Sequence, residues 1–376
     1  MRQVLVIVMV VHGLLHFIGV AKAFGLAELP QLTQSISRTQ GLVWLLAGLS
    51  LLGSALLLAS SSRLWWALGG AAVLMSQAVI IASWTDAKWG TVANVVVLMG
   101  VVYGFASQGP FSFRAQYDRA VSARAAERAQ PPVVTEADLE PLPEPVRRYL
   151  RSVGAVGQPR VHHFTARWQG RIRAGPDDPW MSFTAEQYNV VDEPSRFFLM
   201  DARRGALPVD VLHVFENGRA SMHVRLLSLV RIVHAEGPQM TRAETVTLFN
   251  DLCLLAPAAL IDAAIEWEPI DRSSVRGRYT AGPNTVSAVL SFNQEGELVD
   301  FVSDDRLAAS TDGGELTPQR WSTPVREYRR FGSRRASGRG EGWWHPVDGE
   351  PYAYIHVELL DLEVNNRPGL DPDHPR

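Results

Sequence analysis

The sequence predicts a four-span α-helical membrane bundle followed by an α+β domain, in which helices pack on the concave face of a curved antiparallel sheet, an open half-barrel. The first observation is that residues 1–110 contain four apolar runs but only five basic and two acidic side chains. The second is that apolar residues from position 161 onwards alternate, as half-buried strands require. The third is an apolar helical stretch, 241–271, that interrupts these strands and can cover one face of the sheet.

Each apolar run is near the roughly 20 residues that cross a bilayer as a helix. The runs cover residues 4–24, 42–60, 64–84 and 92–106, with Trp or Tyr toward several ends. Residues 2–23 also fit a signal peptide, but the three further spans and two histidines inside the first run favour an uncleaved helix. Arginines and lysines in the loops place the N-terminus and everything after the fourth helix in the cytoplasm. We therefore predict a multi-pass protein of the inner (cytoplasmic) membrane with a cytoplasmic C-terminal domain.

Four polar side chains inside the spans are the first functional candidates. His12 and His16 are four residues apart and share one helix face, while Gln77 and Asn94 lie in the third and fourth runs. Intramembrane polar groups often mark an ion, proton or ligand path. The other interpretation, which we favour, is that they form hydrogen bonds that hold the bundle together.

The chain divides into four predicted regions. Residues 1–108 form the transmembrane domain, and 109–145 form a juxtamembrane helix and a proline-rich linker. Residues 146–365 form the half-barrel domain, and 366–376 form a disordered tail rich in proline and aspartate. The half-barrel contains about eleven strands, at 161–172, 180–190, 196–202, 209–215, 219–226, 275–280, 285–292, 297–303, 325–331, 338–345 and 352–359.

The stretch 241–271 is predicted to form two helices. Thr241 and Glu244 have capping-box spacing, which predicts a helix that starts at Thr241. Pro257 ends that helix, and a second short one continues to Ile265. Glu244, Thr247 and Asp251 form a polar stripe opposite the apolar face.

An apolar cavity between these helices and the sheet is the predicted binding site. Its candidate lining residues are the apolar and aromatic side chains of the helices and of the nearby strands. They are Phe249, Leu252, Leu255, Leu260, Trp267, Trp343 and Trp344.

Several classes of function are disfavoured by the sequence. We find no phosphate-binding glycine loop, no His-Glu-x-x-His sequence and no nucleophile elbow. Cys253 is the only cysteine, and His162 and His163 point to opposite faces of a strand, so neither predicts a metal site. After residue 110 the chain has 31 basic and 37 acidic residues, which disfavours nucleic acid as a partner. We therefore expect no catalytic residue, metal or cofactor.

Short segments in both halves of the chain resemble known proteins. Residues 142–149 (LPEPVRRY), 180–186 (WMSFTAE), 12–16 (HGLLH) and 86–90 (DAKWG) resemble a bacterial family classed only as a domain of unknown function, with members that carry four helices before the soluble domain. The strands with plugging helices resemble the half-barrel of lipoprotein carriers such as LolA. That resemblance implies an apolar cavity that holds acyl chains.

Two functional hypotheses follow. The first is a non-catalytic, membrane-tethered module that binds membrane lipid or an apolar small molecule. The alternative is a membrane enzyme or small transporter that uses His12, His16, Gln77 and Asn94, with a regulatory soluble domain. A scaffold that binds a partner protein is a third, less specific interpretation.

Overall fold

The computed structural model describes residues 2–30, 32–124, 131–309 and 316–366. The chain forms two compact units, Met1–Ala115 and Gln116–Arg376. The tail predicted from residue 366 lies outside the described residues from 367 onwards.

The first unit is helical, and all four predicted apolar runs are helices. They are α1 (Arg2–Ala23), α2 (Arg38–Ala59), α3 (Trp65–Ala82) and α5 (Gly90–Gln108), with the single turn α4 (Trp84–Ala87) between the last two. All four are long and apolar enough to cross a membrane. The prediction of four candidate spans is therefore confirmed.

Glycines allow the helices of this unit to approach closely. A Cβ atom on Gly48 would lie 2.9 Å from the carbonyl oxygen of Gly13, so α1 and α2 meet backbone to backbone. A Cβ atom on Gly100 would lie 2.5 Å from a methyl group of Leu5, and one on Gly104 would lie 2.5 Å from the ring of Trp65. Small residues therefore shape the contacts of α5 with α1 and α3.

Three further α-helices and two 3₁₀ helices are described. They are α6 (Phe113–Arg124), α7 (Glu144–Ser152), α8 (Pro238–Leu255), and the 3₁₀ helices Ala137–Leu139 and Pro257–Ile261.

The second unit contains sixteen strands among the described residues. They are β1 (His163–Ile172), β2 (Met181–Val190), β3 (Ser195–Arg204), β4 (Leu207–Glu216), β5 (Arg219–Leu226), β6 (Val230–Glu236), β7 (Ile265–Pro269), β8 (Ser274–Ala281), β9 (Asn284–Phe292), β10 (Leu298–Ser303), β11 (Leu307–Ala309), β12 (Leu316–Pro318), β13 (Arg320–Ser322), β14 (Val325–Phe331), β15 (Arg334–His345) and β16 (Tyr352–Val364).

Fourteen of these strands form one antiparallel sheet. Its order is β6-β5-β4-β3-β2-β1-β16-β15-β13-β10-β9-β8-β7, and β14 pairs with β15 off this path. The sheet thus consists of two meanders, β1 to β6 and β7 to β10, joined through β16, β15 and β13. Strands β11 and β12 form a separate pair.

The sheet curves around α8. This helix contacts β4, β5 and β6 near one edge, β15 in the middle, and β9 and β10 toward the other edge. At about 4.8 Å per strand, a flat sheet would separate β5 from β9 by roughly 40 Å. A helix is only about 10 Å across, so it reaches both strands because the sheet wraps around it. The predicted curved antiparallel sheet with helices on its concave face is confirmed.

The predicted number of about eleven strands was too low. All eleven predicted strands are present, but β6, β7, β11, β12 and β13 were missed. Strand β6 buries only Ala235, so its alternation is weak. Strand β7 continues an apolar stretch that resembles a helix in sequence, and β11 to β13 have three residues each, which is too short to show a period.

The predicted start of the central helix was also wrong. Helix α8 begins at Pro238, after Gly237 in the left-handed region with φ of 97°. Thr241 lies one turn inside, where its hydroxyl donates to the Gly237 carbonyl oxygen at 2.9 Å and accepts from the Ala220 N–H at 3.0 Å. Glu244 takes part in ion pairs instead of a capping box. The second predicted helix is the 3₁₀ segment Pro257–Ile261, and the chain is a strand by Ile265.

The core of the second unit lies between one face of α8 and strands β8 to β10. Phe249 is fully buried and stacks on Tyr279, with ring centroids 5.2 Å apart. Phe301 packs edge-on against the Phe249 ring, with the two ring centroids 5.3 Å apart. Helix α7 joins this core through Tyr149, whose hydroxyl donates to the Cys253 carbonyl oxygen at 2.7 Å. Burial raises the pKa of the Cys253 thiol, which is therefore an unreactive core group.

Candidate functional site

A cavity of about 730 Å³ lies between α8 and the concave face of the sheet. This volume is within the range of pockets that hold small molecules. Most of its wall is apolar and comes from β1 to β5, β16 and the Leu254 turn of α8. Representative wall residues are Ile172, Phe183, Met200, Val211, Val224 and Ile355.

Strand alternation builds this apolar wall. In β3 the residues that line the cavity are Phe198, Met200 and Ala202, each two positions from the next. Successive side chains of a strand point to opposite faces, so these three share the concave face. The same spacing recurs in β4 at Val209 and Val211. Adjacent antiparallel strands thereby give a continuous apolar surface.

A buried ionic cluster on α8 forms the polar part of the wall. Glu244 and Asp251 are seven residues apart, which places them on one helix face. Arg196 of β3 lies between them, and its Nε donates to Asp251 Oδ2 at 2.7 Å. Its Nη1 donates to Glu244 Oε2 at 3.2 Å. One arginine therefore joins both carboxylates to the sheet.

Further donors complete the cluster. Gln187 and Asn189 of β2 donate to Asp251 Oδ2 at 2.7 and 3.3 Å. Arg306 donates to Glu244 Oε1 at 3.3 Å and to the carbonyl oxygen of Ala243 at 2.6 Å. Two arginines and two carboxylates balance in charge, which allows the cluster to exist inside the protein.

The two carboxyl groups have opposite pKa shifts. Burial by itself would raise the pKa of Glu244, but His213, Arg196 and Arg306 around it hold that pKa below its ordinary value. Burial raises the pKa of Asp251, although Arg196 and Asn189 act in the opposite direction. Glu244 is therefore the more firmly ionised of the two.

Two nitrogen atoms beside the cavity are buried without a hydrogen-bond partner among the described residues. His213 Nδ1 lies 3.3 Å from Glu244 Oε1 but lacks the alignment of a hydrogen bond. Arg306 Nε is the other. Both side chains belong to the cavity wall. The ionic cluster therefore keeps two nitrogen atoms without hydrogen bonds beside the apolar part of the cavity.

The predicted cavity residues fall into two groups. Leu255 and Trp344 line the cavity. The other five lie elsewhere: Phe249, Leu252 and Leu260 are in the core, Trp267 packs beside Phe249, and the Trp343 indole donates to Glu341 at 2.9 Å.

The polar stripe of α8 meets the cavity, together with Leu254 and Leu255 at the C-terminal end of the helix. Glu244, Thr247 and Asp251 all belong to the lining. The sequence showed this stripe but gave no reason to place it inside the domain. A usable signal was that α8 is flanked by strands on both sides in the chain, so that a curved sheet can surround it.

A second polar cluster lies in the helical unit, and it contains all four polar residues selected from the apolar runs of the sequence. His12, His16 and Asn94 are buried together with Ser76, which sequence reasoning missed. Asn94 Nδ2 donates to Gln77 Oε1 at 3.0 Å. Small hydroxyl residues are common in apolar helices, so Ser76 carried no signal of its own.

The geometry of this cluster is satisfied with both imidazoles neutral. His16 Nδ1 lies 2.8 Å from the His12 carbonyl oxygen, so it donates there and its Nε2 accepts from the Ser76 hydroxyl at 2.9 Å. Ser76 Oγ also lies 2.9 Å from Asn94 Oδ1, but its single hydrogen serves one of these two acceptors at a time. His12 Nε2 lies 2.9 Å from Asn94 Oδ1 and donates to it. Three helices are therefore joined by neutral hydrogen bonds.

Comparison with known proteins identifies a family and two similar folds. The model of DUF6544, a family of unknown function, matches residues 132–356, which confirms the family expected from the sequence. No curated protein matches the chain. A domain named as an outer membrane lipoprotein-sorting protein, from Vibrio parahaemolyticus, is 10% identical with a TM-score of 0.32 and covers 56% of this chain and 87% of its own. A DUF1329 family protein from Desulfovibrio piger is 13% identical with a TM-score of 0.33 and covers 56% and 88%.

Proposed function

The chain belongs to DUF6544, a family of unknown function, and we propose that it is a non-catalytic, membrane-tethered module that binds a lipid or another apolar molecule in the α8 cavity. The observation that carries this proposal is the mainly apolar cavity of about 730 Å³ between the sheet and α8, which is partly open to the surface. The four apolar helices supply the tether. The charge distribution of the loops favours the inner membrane, with the cavity domain in the cytoplasm.

The size of the apolar wall sets the scale of the expected affinity. Each buried methylene group contributes about 0.8 kcal/mol. Ten methylenes in the cavity would contribute about 8 kcal/mol, from which the cost of ordering the chain must be subtracted. A single acyl chain would then bind in the micromolar range or more weakly.

The ionic cluster gives the cavity a polar end. Burying a polar group without a partner is costly, so a purely apolar molecule would fit the sheet side better than the α8 side. An amphipathic molecule places its chain against Met200 and Val211 and its head toward His213 and Arg306. We therefore favour an acyl compound with a polar head over a hydrocarbon-like ligand.

The hydrogen bonds of the bundle favour an anchoring role over a transport role for the helical unit. The polar groups of His12, His16 and Asn94 are directed at one another and at Ser76. Neutral side chains that satisfy one another in this way hold helices together.

A fluorescent fatty acid tests the cavity directly. Full-length Val211→Trp places a large ring in the apolar space, and we expect at least a tenfold loss of probe affinity compared with the unaltered protein. Arg203→Trp is the matched control, because Arg203 is exposed on the neighbouring strand. Equal probe binding by the two variants, with circular dichroism showing both to be folded, would contradict the proposal.

A further inference from the structure

A group of metal-ligating side chains lies on the hairpin formed by β5 and β6. His223 of β5 is directly opposite His234 of β6 in the antiparallel register. Glu236 is two residues after His234, so it lies on the same face of β6. The pairing of the two strands thus brings two imidazoles and one carboxylate together.

The distances within this group suit a single small ion. The two Nδ1 atoms are 2.7 Å apart, and Glu236 Oε1 lies 3.3 Å from His234 Nε2 and 4.0 Å from His223 Nε2. One ligand atom from each residue lies within 4.8 Å of the others. Zinc bonds of about 2.0 to 2.2 Å in a tetrahedron separate ligand atoms by roughly 3.4 Å. Small side-chain rotations therefore suffice to enclose an ion.

This group is separate from the α8 cavity. Met222 and Val224, the neighbours of His223 on β5, both line the cavity. Alternation along the strand places His223 on the opposite face of the sheet. Strand β6 ends the sheet among the described residues, and the side chains of His234 and Glu236 are 43% and 57% exposed. An ion can reach the group from solvent.

We propose that His223, His234 and Glu236 bind a divalent transition metal ion, with zinc as the best match. Imidazole and carboxylate ligands suit zinc, and three protein ligands leave a fourth position for water or another molecule. The short contact between the two Nδ1 atoms means that one ring donates and the other accepts. The accepting ring therefore carries its own hydrogen on Nε2, the nitrogen that approaches Glu236. This hydrogen moves to Nδ1, and the two Nδ1 atoms separate, when both Nε2 atoms bind an ion.

Zinc binding to the full-length protein, with any affinity tag removed, tests this site. Titration against a chromogenic chelator should give one tightly bound zinc ion per chain. His234→Ala and Glu236→Gln should each weaken zinc binding at least tenfold. His162→Ala is the matched control, because His162 contacts Asp192, outside the β5–β6 hairpin, and its replacement should leave zinc binding unchanged.

The outcomes separate clearly. Glu236 is exposed, so Glu236→Gln retains the fold even if His234→Ala does not. We also expect zinc to raise the melting temperature of the unaltered protein by a few degrees, but not that of Glu236→Gln. This result would support a site on the folded hairpin. The proposal is overturned if the unaltered protein binds no zinc, or if Glu236→Gln and His162→Ala bind it equally well. Neither result depends on whether the α8 cavity holds a lipid.

Discussion

Both units of this protein bury a polar cluster, but the two clusters differ in chemistry. In the helical unit neutral hydrogen bonds join His12 to Asn94 and His16 to Ser76. In the sheet unit the cluster is ionic, and Arg196 joins Glu244 to Asp251 beside a cavity. The first cluster lies among helices that pack closely, whereas the second forms part of a cavity wall.

Under the proposed function, this difference separates a structural cluster from a ligand site. Neutral groups that satisfy one another need little from their surroundings, so they stabilise a bundle without leaving polarity for a ligand. Buried ions are costly and remain only where partners compensate them. The ionic cluster still leaves His213 Nδ1 and Arg306 Nε without hydrogen bonds. Under the proposed function, the ligand would bind in the cavity of the sheet unit.

The largest expected effect comes from breaking the ionic cluster at its centre. Arg196→Met leaves two buried carboxylates without their shared partner, and we expect a loss of about 3 to 5 kcal/mol in the free energy of unfolding. Hydrogen exchange read by mass spectrometry should show this loss in β3 and α8. Arg203→Met, at an exposed position of the same strand, is the control. Equal exchange in the two variants would show that the cluster is not a stabilising centre.

A smaller, pH-dependent effect is expected at Glu244. Glu244→Gln should cost about 3 kcal/mol at pH 7, because two arginines lose their carboxylate. The folded pKa of Glu244 lies below its unfolded value of about 4.3, so its stabilisation is present above that value and is lost as the pH falls toward the folded pKa. The difference between the variant and the unaltered protein should therefore shrink in acid. Denaturant unfolding across pH 3 to 7 measures it, and a constant difference would contradict the assigned pKa shift.

Asp251 should show the opposite trend. Its folded pKa is raised, so its ionisation costs stability as the pH rises from the unfolded pKa through the folded one. At pH 7 Asp251→Asn should therefore lower the free energy of unfolding by less than Glu244→Gln does. The loss caused by Asp251→Asn should grow as the pH falls, because protonation in acid relieves the unaltered protein of the cost of the buried charge. The same unfolding series measures this. A larger loss of unfolding free energy for Asp251→Asn than for Glu244→Gln at pH 7 would contradict the assigned pKa shifts of the two carboxyl groups.

The smallest effect is expected in the bundle. Ser76→Ala removes the hydroxyl that donates to His16, and we expect a loss of about 1 kcal/mol, since single hydrogen bonds between membrane helices contribute little. Unfolding in mixed detergent micelles measures this. Ser107→Ala is the control, because among the described residues that hydroxyl donates within its own helix, to the carbonyl oxygen of Gly104. Equal stability of the two variants would remove the support for a bundle-holding role.

Local patterns made much of the fold predictable. The four apolar helices and eleven of the strands follow from runs and periods that neighbouring residues set. Strands as short as β11 show no period, and the start of α8 was misplaced because Glu244 pairs with Arg196, 48 positions away. The contact between His223 and His234 could not be predicted from local patterns either. The two residues are eleven positions apart, and the register of β5 against β6 decides whether they meet.

The sequence by itself determined that this chain carries four apolar helices, an alternating strand-rich domain and one helix with an apolar face and a polar stripe. Only the tertiary structure decided that the polar stripe of α8 faces the cavity while Phe249 and Leu252 face the core. The physical reason is that periodicity shows which residues share a face of a helix, but not what covers that face. The sheet curves because strands that are distant in the chain contact one another. The curved sheet therefore surrounds both faces of α8.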